Sequence, residues 1–102
     1  MAKNYGYPLG FYRDRKFSIE VRVSPSFATV DDFAVTVYYT RPDGTGVPVA
    51  RVDQAHGYTH FDRLYRRDQP KDPIDWDYIE AEEELSTNWR RYAESYADAH
   101  GL

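Results

Sequence analysis

The stretch Phe33-Ala34-Val35-Thr36-Val37-Tyr38-Tyr39-Thr40, followed by Arg41-Pro42-Asp43-Gly44-Thr45-Gly46 and then by Val47 to Asp53, decides the fold. Its first eight residues are mostly β-branched or aromatic, which suits a pleated, half-buried surface. Phe33, Val35, Val37 and Tyr39 fall on one face at a period of two. The next six residues are turn chemistry. Pro42 presets φ, and Asp43-Gly44 tolerates positive φ. Val47 to Asp53 then returns as a second strand, so the whole run reads as a β-hairpin.

Toward the N-terminus, Phe17-Ser18-Ile19-Glu20-Val21-Arg22-Val23 alternates without a break. Phe17, Ile19, Val21 and Val23 share one face, as in a strand with one buried side. Ser24-Pro25-Ser26 ends it, because proline has no N–H to give to a ladder, and residues 24–32 read as a loop. Residues 1–16 carry Tyr5, Tyr7, Tyr12, Arg13, Arg15 and Lys16. They read as an aromatic-basic N-terminal arm lying over the sheet. Its functional reading is base stacking combined with phosphate contact.

Toward the C-terminus, a bend at Gln54–Gly57 leads to a fourth strand at about Thr59–Arg66. On it His60, Asp62 and Leu64 take one face, and Phe61, Arg63 and Tyr65 the other. Asp68 to Asp72 is a polar linker. Asp72-Pro73-Ile74-Asp75 has the form of a helix start, with an acid at the N-cap and proline at the first helical position. Apolar positions then recur at Tyr78, Ala81, Leu85, Trp89, Tyr92, Tyr96 and Ala99, one helical stripe. Acids crowd the first half of this segment and Arg90-Arg91 the second, matching the helix dipole. Gly101 is the expected stop.

These elements predict an α+β fold in a single domain. The expected arrangement is a four-stranded antiparallel meander over 17–67 with one long C-terminal helix, 73–99, packed on one face. Neither layer could bury its apolar side alone. Tyr78, Leu85, Trp89 and Tyr92 are expected to bury against Ile19, Val21, Val35 and Val37.

The chain of 102 residues has no cysteine, so disulfides, thiolate metal sites and cysteine nucleophiles are excluded. No run of about 18 apolar residues is present, and the N-terminus lacks a secretory h-region. The expectation is a cytoplasmic protein without a membrane span. Residues 1–71 carry 11 Lys+Arg and 8 Asp+Glu, a net of +3; residues 72–102 carry 2 and 9, a net of −7. A mildly basic body is therefore followed by an acidic helix. Arg outnumbers Lys by 10 to 3 and Asp outnumbers Glu by 11 to 6, which resembles the usage of salt-adapted archaea.

Two of the three histidines lie in Arg51-Val52-Asp53-Gln54-Ala55-His56-Gly57-Tyr58-Thr59-His60-Phe61-Asp62-Arg63. Metal-independent RNA cleavage needs a base at the 2′-hydroxyl, an acid at the leaving oxygen and a cation on the phosphate. Histidines that titrate near neutrality, a Tyr and an Arg can supply these. His56, His60, Tyr58, Asp62 and Arg63 are the candidate catalytic residues. A two-His-one-carboxylate metal site with Asp53 or Asp62 is the other chemistry this set allows. A four-residue His spacing suits a helix, however, and Gly57 argues against one here. The expectation is no metal and no cofactor. The structural alternative is that His56 caps the bend, His60 is a half-buried strand residue and Asp53 fixes the turn.

The run from Tyr39 through Asp43-Gly44 and Arg51-Val52-Asp53-Gln54-Ala55-His56 to His60 resembles the TumE family, small proteins of toxin–antitoxin pairs. The likeness covers about a quarter of the chain. Gln54 stands where that family has Asn, no proline precedes His56, and the family's doubled histidines are single here. The resemblance implies a cytoplasmic protein acting beside a small antitoxin-type DNA-binding protein; joined to the His/Tyr/Arg chemistry above, the expectation is a toxin-like or accessory protein that acts on RNA. The alternative from a different class is a non-catalytic protein–protein interaction module. An exposed edge strand would leave a homodimer open to either.

Overall fold

The computed structural model describes residues 3–28, 30–55, 58–63, 71–73 and 76–101, with the backbone alone at 55, 58–63 and 71–73. Among the described residues, six strands follow one another in space as they do in sequence: β1 Lys3–Tyr12, β2 Arg15–Pro25, β3 Val30–Thr40, β4 Gly46–Ala55, β5 Tyr58–Arg63 and β6 Lys71–Pro73. Every neighbouring pair is antiparallel. One helix, α1 Tyr78–His100, lies on one face of this meander. The α+β architecture expected from the alternation and the helical stripe is present.

The central hairpin is built as its residues dictate. β2 and β3 pair with Ile19 opposite Val37 and Val21 opposite Val35. β3 and β4 pair with Val35 opposite Val52 and Val37 opposite Ala50. Cross-strand partners share a face, so one side of the sheet is a continuous apolar surface. Between β3 and β4 the Gly44 N–H donates to the Arg41 carbonyl at 2.9 Å, and the Thr45 N–H donates to Asp43 Oδ1 at 2.9 Å. Gly44 takes φ +90°, a value that glycine adopts without a Cβ penalty.

The apolar face is closed by α1. Ala81, Leu85, Trp89, Tyr92, Ala93 and Ala97 are buried on the helix, against Phe17, Ile19, Val21, Val23, Phe33, Val35, Val37, Val49 and Val52 on the sheet. Tyr78 packs against this core while partly buried. Near the C-terminus the stripe differs from expectation. Ala93 and Ala97 enter the core, Ala99 is exposed, and Tyr96 lies at the rim with its ring edge-on to Tyr39 at 5.8 Å. Small residues let the last turns approach the sheet, and the larger Tyr96 ring reaches past them.

Three boundaries are corrected. The segment expected as an N-terminal arm is strand β1, joined to β2 through Arg13-Asp14 and paired from Lys3 opposite Val23 to Tyr12 opposite Arg15. Its aromatic residues alternate, which is strand patterning that its glycines and proline disguise. The helix starts at Tyr78 rather than after Asp72. Asp77 is the N-cap, its side chain accepts from the Glu80 N–H at 2.8 Å, and Glu80 reaches back to the Asp77 N–H. This reciprocal capping box satisfies two donors at once. The third correction concerns Lys71–Pro73, expected as linker and first helical turn, which forms the short edge strand β6 against β5. Proline is tolerated at such an edge. At the other helix end Gly101 is left-handed and its N–H donates to the Ala97 carbonyl, the stop expected there.

Candidate functional site

The register of β4 with β5 places the histidine segment. His60 lies opposite Asp53, Asp62 opposite Arg51, and Tyr58 opposite Ala55. Positions 58, 60 and 62 therefore fall on the sheet face turned away from α1, with Arg51 and Asp53. Position 63 falls opposite the buried Ala50, on the helix side. Of the five candidate catalytic residues, the backbone brings Tyr58, His60 and Asp62 onto one face and sets Arg63 on the other. His56 lies outside the described residues, as does any convergence of these side chains on one concavity. Asp53 lies within the ladder, opposite Ala34, with its Oδ2 3.7 Å from Arg51 Nε, and the turn at 56–57 lies outside the described residues. Among the described residues no group of three His, Asp or Glu side chains gathers into a metal-binding cluster.

A second constellation forms at the opposite end of the sheet. The β1–β2 turn and the β3–β4 turn lie side by side there, because β2 pairs with β3 from Lys16 opposite Thr40. Between them is an open cleft of about 700 Å³, lined by Phe11, Tyr39, the cations Arg13, Arg15, Lys16 and Arg41, and also Asp14, Thr40 and Pro42. Four cations and one carboxylate thus surround two aromatic rings. The Arg15 guanidinium lies over the Tyr39 ring at 5.6 Å from its centroid, and Arg13 over Tyr12 at 5.3 Å. Stacking on a ring holds a guanidinium in place with its N–H edge still available.

The first turn carries local strain. Arg13 and Asp14 both have positive φ, 51° and 65°. A two-residue hairpin turn needs this geometry, and Asn-Gly or Asp-Gly is the usual solution. Asp visits the left-handed region readily, but an Arg there costs about 1–2 kcal/mol. The chain keeps a cation at a position where local propensity favours another residue, the kind of conflict expected at functional sites.

The helix adds a third aromatic layer beside this cleft. Tyr96 packs edge-on to Tyr39, and His100 stacks on Tyr96 with ring centroids 4.1 Å apart. Burial raises the Tyr96 phenol above its ordinary value, and the neighbouring Tyr39 adds to the shift.

Tyr5 and Tyr7 do not belong to the cleft, although the sequence grouped them with Tyr12. Both face the helix, where their hydroxyls donate to the two oxygens of Glu82, that of Tyr7 at 2.6 Å. Burial pushes Tyr7 up to about 12, with the bond to Glu82 and its charge adding to the effect. Tyr5 is raised in the same direction, by burial first and Glu82 second. This pair fastens β1 to α1.

Sequence reading flagged Arg13, Arg15 and Lys16 but missed Phe11, Tyr39 and Arg41. The hairpin register could have found them, since two turns in an antiparallel meander separated by two strands emerge at the same sheet end. The histidine segment is seven residues further along β4 than Gly46, the partner of Thr40, which is roughly 20 Å at ~3.3 Å per residue. The cleft and the histidine segment are therefore two separate places.

No curated protein and no solved structure matches this chain. A family model does match, over residues 2–102, and it carries no statement of activity. The chain belongs to the family described as the domain of unknown function DUF7718.

Proposed function

We propose that this protein binds single-stranded RNA through the basic–aromatic cleft formed by its two neighbouring hairpin turns. The carrying observation is the meeting of Arg13, Arg15 and Lys16 with Arg41 around Phe11 and Tyr39. Clustered cations neutralise phosphates of a bound strand, and an exposed ring such as Phe11 offers a stacking platform that any base can use. The chain is acidic as a whole, −4, so this local excess of positive charge marks one surface out from the rest. The acidic half of α1 would repel a polyanion and so restrict it to the turn end.

The resemblance over residues 39–60 supports placing this activity in a toxin–antitoxin pair, beside an antitoxin-type DNA-binding protein. In that setting Tyr58, His60 and Asp62 on β5, with His56, are the residues for cleavage of the bound strand, and the cleft supplies the grip. A non-catalytic interaction module is the second reading, favoured by the edge strand β1, which carries no charge from Asn4 to Tyr12.

The test is fluorescence anisotropy with labelled single-stranded RNA, single-stranded DNA and duplex RNA, on the wild type and on Arg15→Gln/Arg41→Gln. The single strands should bind, the duplex should bind more weakly, and the double variant should lose most affinity at unchanged melting temperature. Equal binding by the double variant, or a preference for duplex, would sink the reading. Growth arrest on expression tests the toxin half separately, and normal growth would remove it.

A further inference from the structure

The two edges of the sheet differ in how far they are blunted: β1 carries Pro8 and a bulge between Pro8 and Gly10, but Lys3–Tyr7 ahead of them is regular ladder. β6 is three residues long and reads Lys71-Asp72-Pro73, so it is short, charged and proline-containing. These are the devices by which natural sheets block unwanted strand pairing. β1, the other edge, is ten residues long. Its residues 4–12, Asn4-Tyr5-Gly6-Tyr7-Pro8-Leu9-Gly10-Phe11-Tyr12, contain no charged side chain in a chain that is 29% charged. Among the described residues no strand covers its outer edge.

A second observation points to the same edge. Among the described residues, the exposed large hydrophobic side chains are Tyr5, Tyr7, Phe11, Phe27 and Ile79. Three are on β1 itself. Phe27 packs against Tyr5 with ring centroids 5.5 Å apart and against Tyr78 at 5.9 Å. Ile79 precedes Glu82, the acceptor of both tyrosine hydroxyls, by one helical turn. The exposed apolar surface is therefore gathered along one border of the molecule rather than scattered, the distribution expected at an interaction site. The border is also held firm, because Glu82 ties both tyrosines to α1.

We propose that β1 pairs antiparallel with β1 of a second copy, about a two-fold axis near Gly6, to give a homodimer with one continuous sheet. Tyr5 of one subunit then lies beside Tyr7 of its partner on the helix side, and aromatic cross-strand pairs favour this contact. No like charges meet across the axis. Lys3 is the single charged residue of the strand and lies at its end. Self-pairing also closes the assembly, since each copy supplies the same edge and only the blunted β6 edges remain. Glycine at position 6 is required by β1–β2 packing itself, where a Cβ would stand 2.7 Å from the Ile19 carbonyl oxygen.

The experiment is sedimentation equilibrium across the micromolar range on the full chain, with Tyr7→Lys and Asn4→Lys as variants. Tyr7→Lys sets cations near the axis; Asn4→Lys does so on the other face and leaves the bonds to Glu82 in place. The wild type should show twice the 12.0 kDa of the chain. Each variant should weaken the dimer by about tenfold or more while keeping its helical circular dichroism. The chain has no cysteine, so Glu20→Cys gives a single site for a spin label. Glu20 lies opposite Gly6, and three strand spacings put the two Glu20 positions of the dimer roughly 14 Å apart. Label-to-label distances should cluster in the range about 15–25 Å once the label arms are added. A monomeric wild type, a dimer that both variants leave intact, or a much longer label distance would each overturn the proposal.

Discussion

Removing one cation from the cleft should change the salt dependence of RNA binding by a calculable amount. Four side chains, Arg13, Arg15, Lys16 and Arg41, line the cleft with positive charge. If each neutralises one phosphate of a single strand, log Kobs falls against log salt with a slope of about −0.7 per contact, roughly −2.8 in all. Raising salt from 50 to 200 mM, a factor of four, then weakens binding by roughly 50-fold. Arg41→Gln leaves three contacts, a slope of roughly −2.1 and a loss of roughly 20-fold over the same interval. The side chain of Arg41 is exposed, and the Arg41 backbone bonds of the turn do not depend on it. Stability should therefore change by no more than about 0.5 kcal/mol. The assay is anisotropy of a labelled oligoribonucleotide at four or five salt concentrations. Arg22→Gln serves as the control, since Arg22 is exposed on β2 outside the cleft. A slope unchanged by Arg41→Gln, or one lowered equally by Arg22→Gln, would refute the assignment of phosphate contact to the cleft.

Leu85 is fully buried between α1 and the sheet, so Leu85→Ala should cost about 2–5 kcal/mol; a mid-range loss of about 3 kcal/mol lowers the melting temperature by roughly 12–24 °C, and a shift of only a degree or two would mean that the helix does not close this core. The Tyr7 phenol is raised to about 12 when folded, against an ordinary value near 10. The folded state thus holds this proton more tightly, and the stability it contributes is complete below about pH 10 and lost as pH rises toward 12. Absorbance titration at alkaline pH should show a late component that Tyr7→Phe diminishes, and simultaneous ionisation of all tyrosines near their ordinary value would contradict the clamp on Glu82. His56→Ala and His60→Ala should abolish RNA cleavage while leaving RNA affinity and melting temperature unchanged, because the cleft is at the other sheet end. Loss of affinity together with cleavage would show that the two places are not independent.

The two layers of this protein are legible in its residues alone. Alternation in Phe17–Val23 and Phe33–Tyr39 requires strands with one apolar face, and the spacing of Ala81, Leu85, Trp89 and Tyr92 requires a helix to cover them. Asp43-Gly44 and Gly101 mark their turns because few other residues accept those backbone angles. Such features are local, and local geometry is written in neighbouring residues. Tertiary structure decided the rest. β1 escaped recognition because Gly6, Pro8 and Gly10 mask its alternation, and only pairing with β2 holds it extended. Asp72-Pro73 has the local form of a helix start, but Lys71–Pro73 pairs with β5 and Asp77 caps the helix instead. The cleft was half legible: Arg13, Arg15 and Lys16 stand out as a basic run, but Arg41 joins them only through the register that sets Lys16 opposite Thr40. Alternation along the chain already separates Arg63 from His60 and Asp62; the pairing of β4 with β5 adds that Tyr58 joins those two on the face turned away from α1. Adjacency along an extended chain places side chains on opposite sides of a sheet, so a site on strands is assembled across the ladder rather than along it.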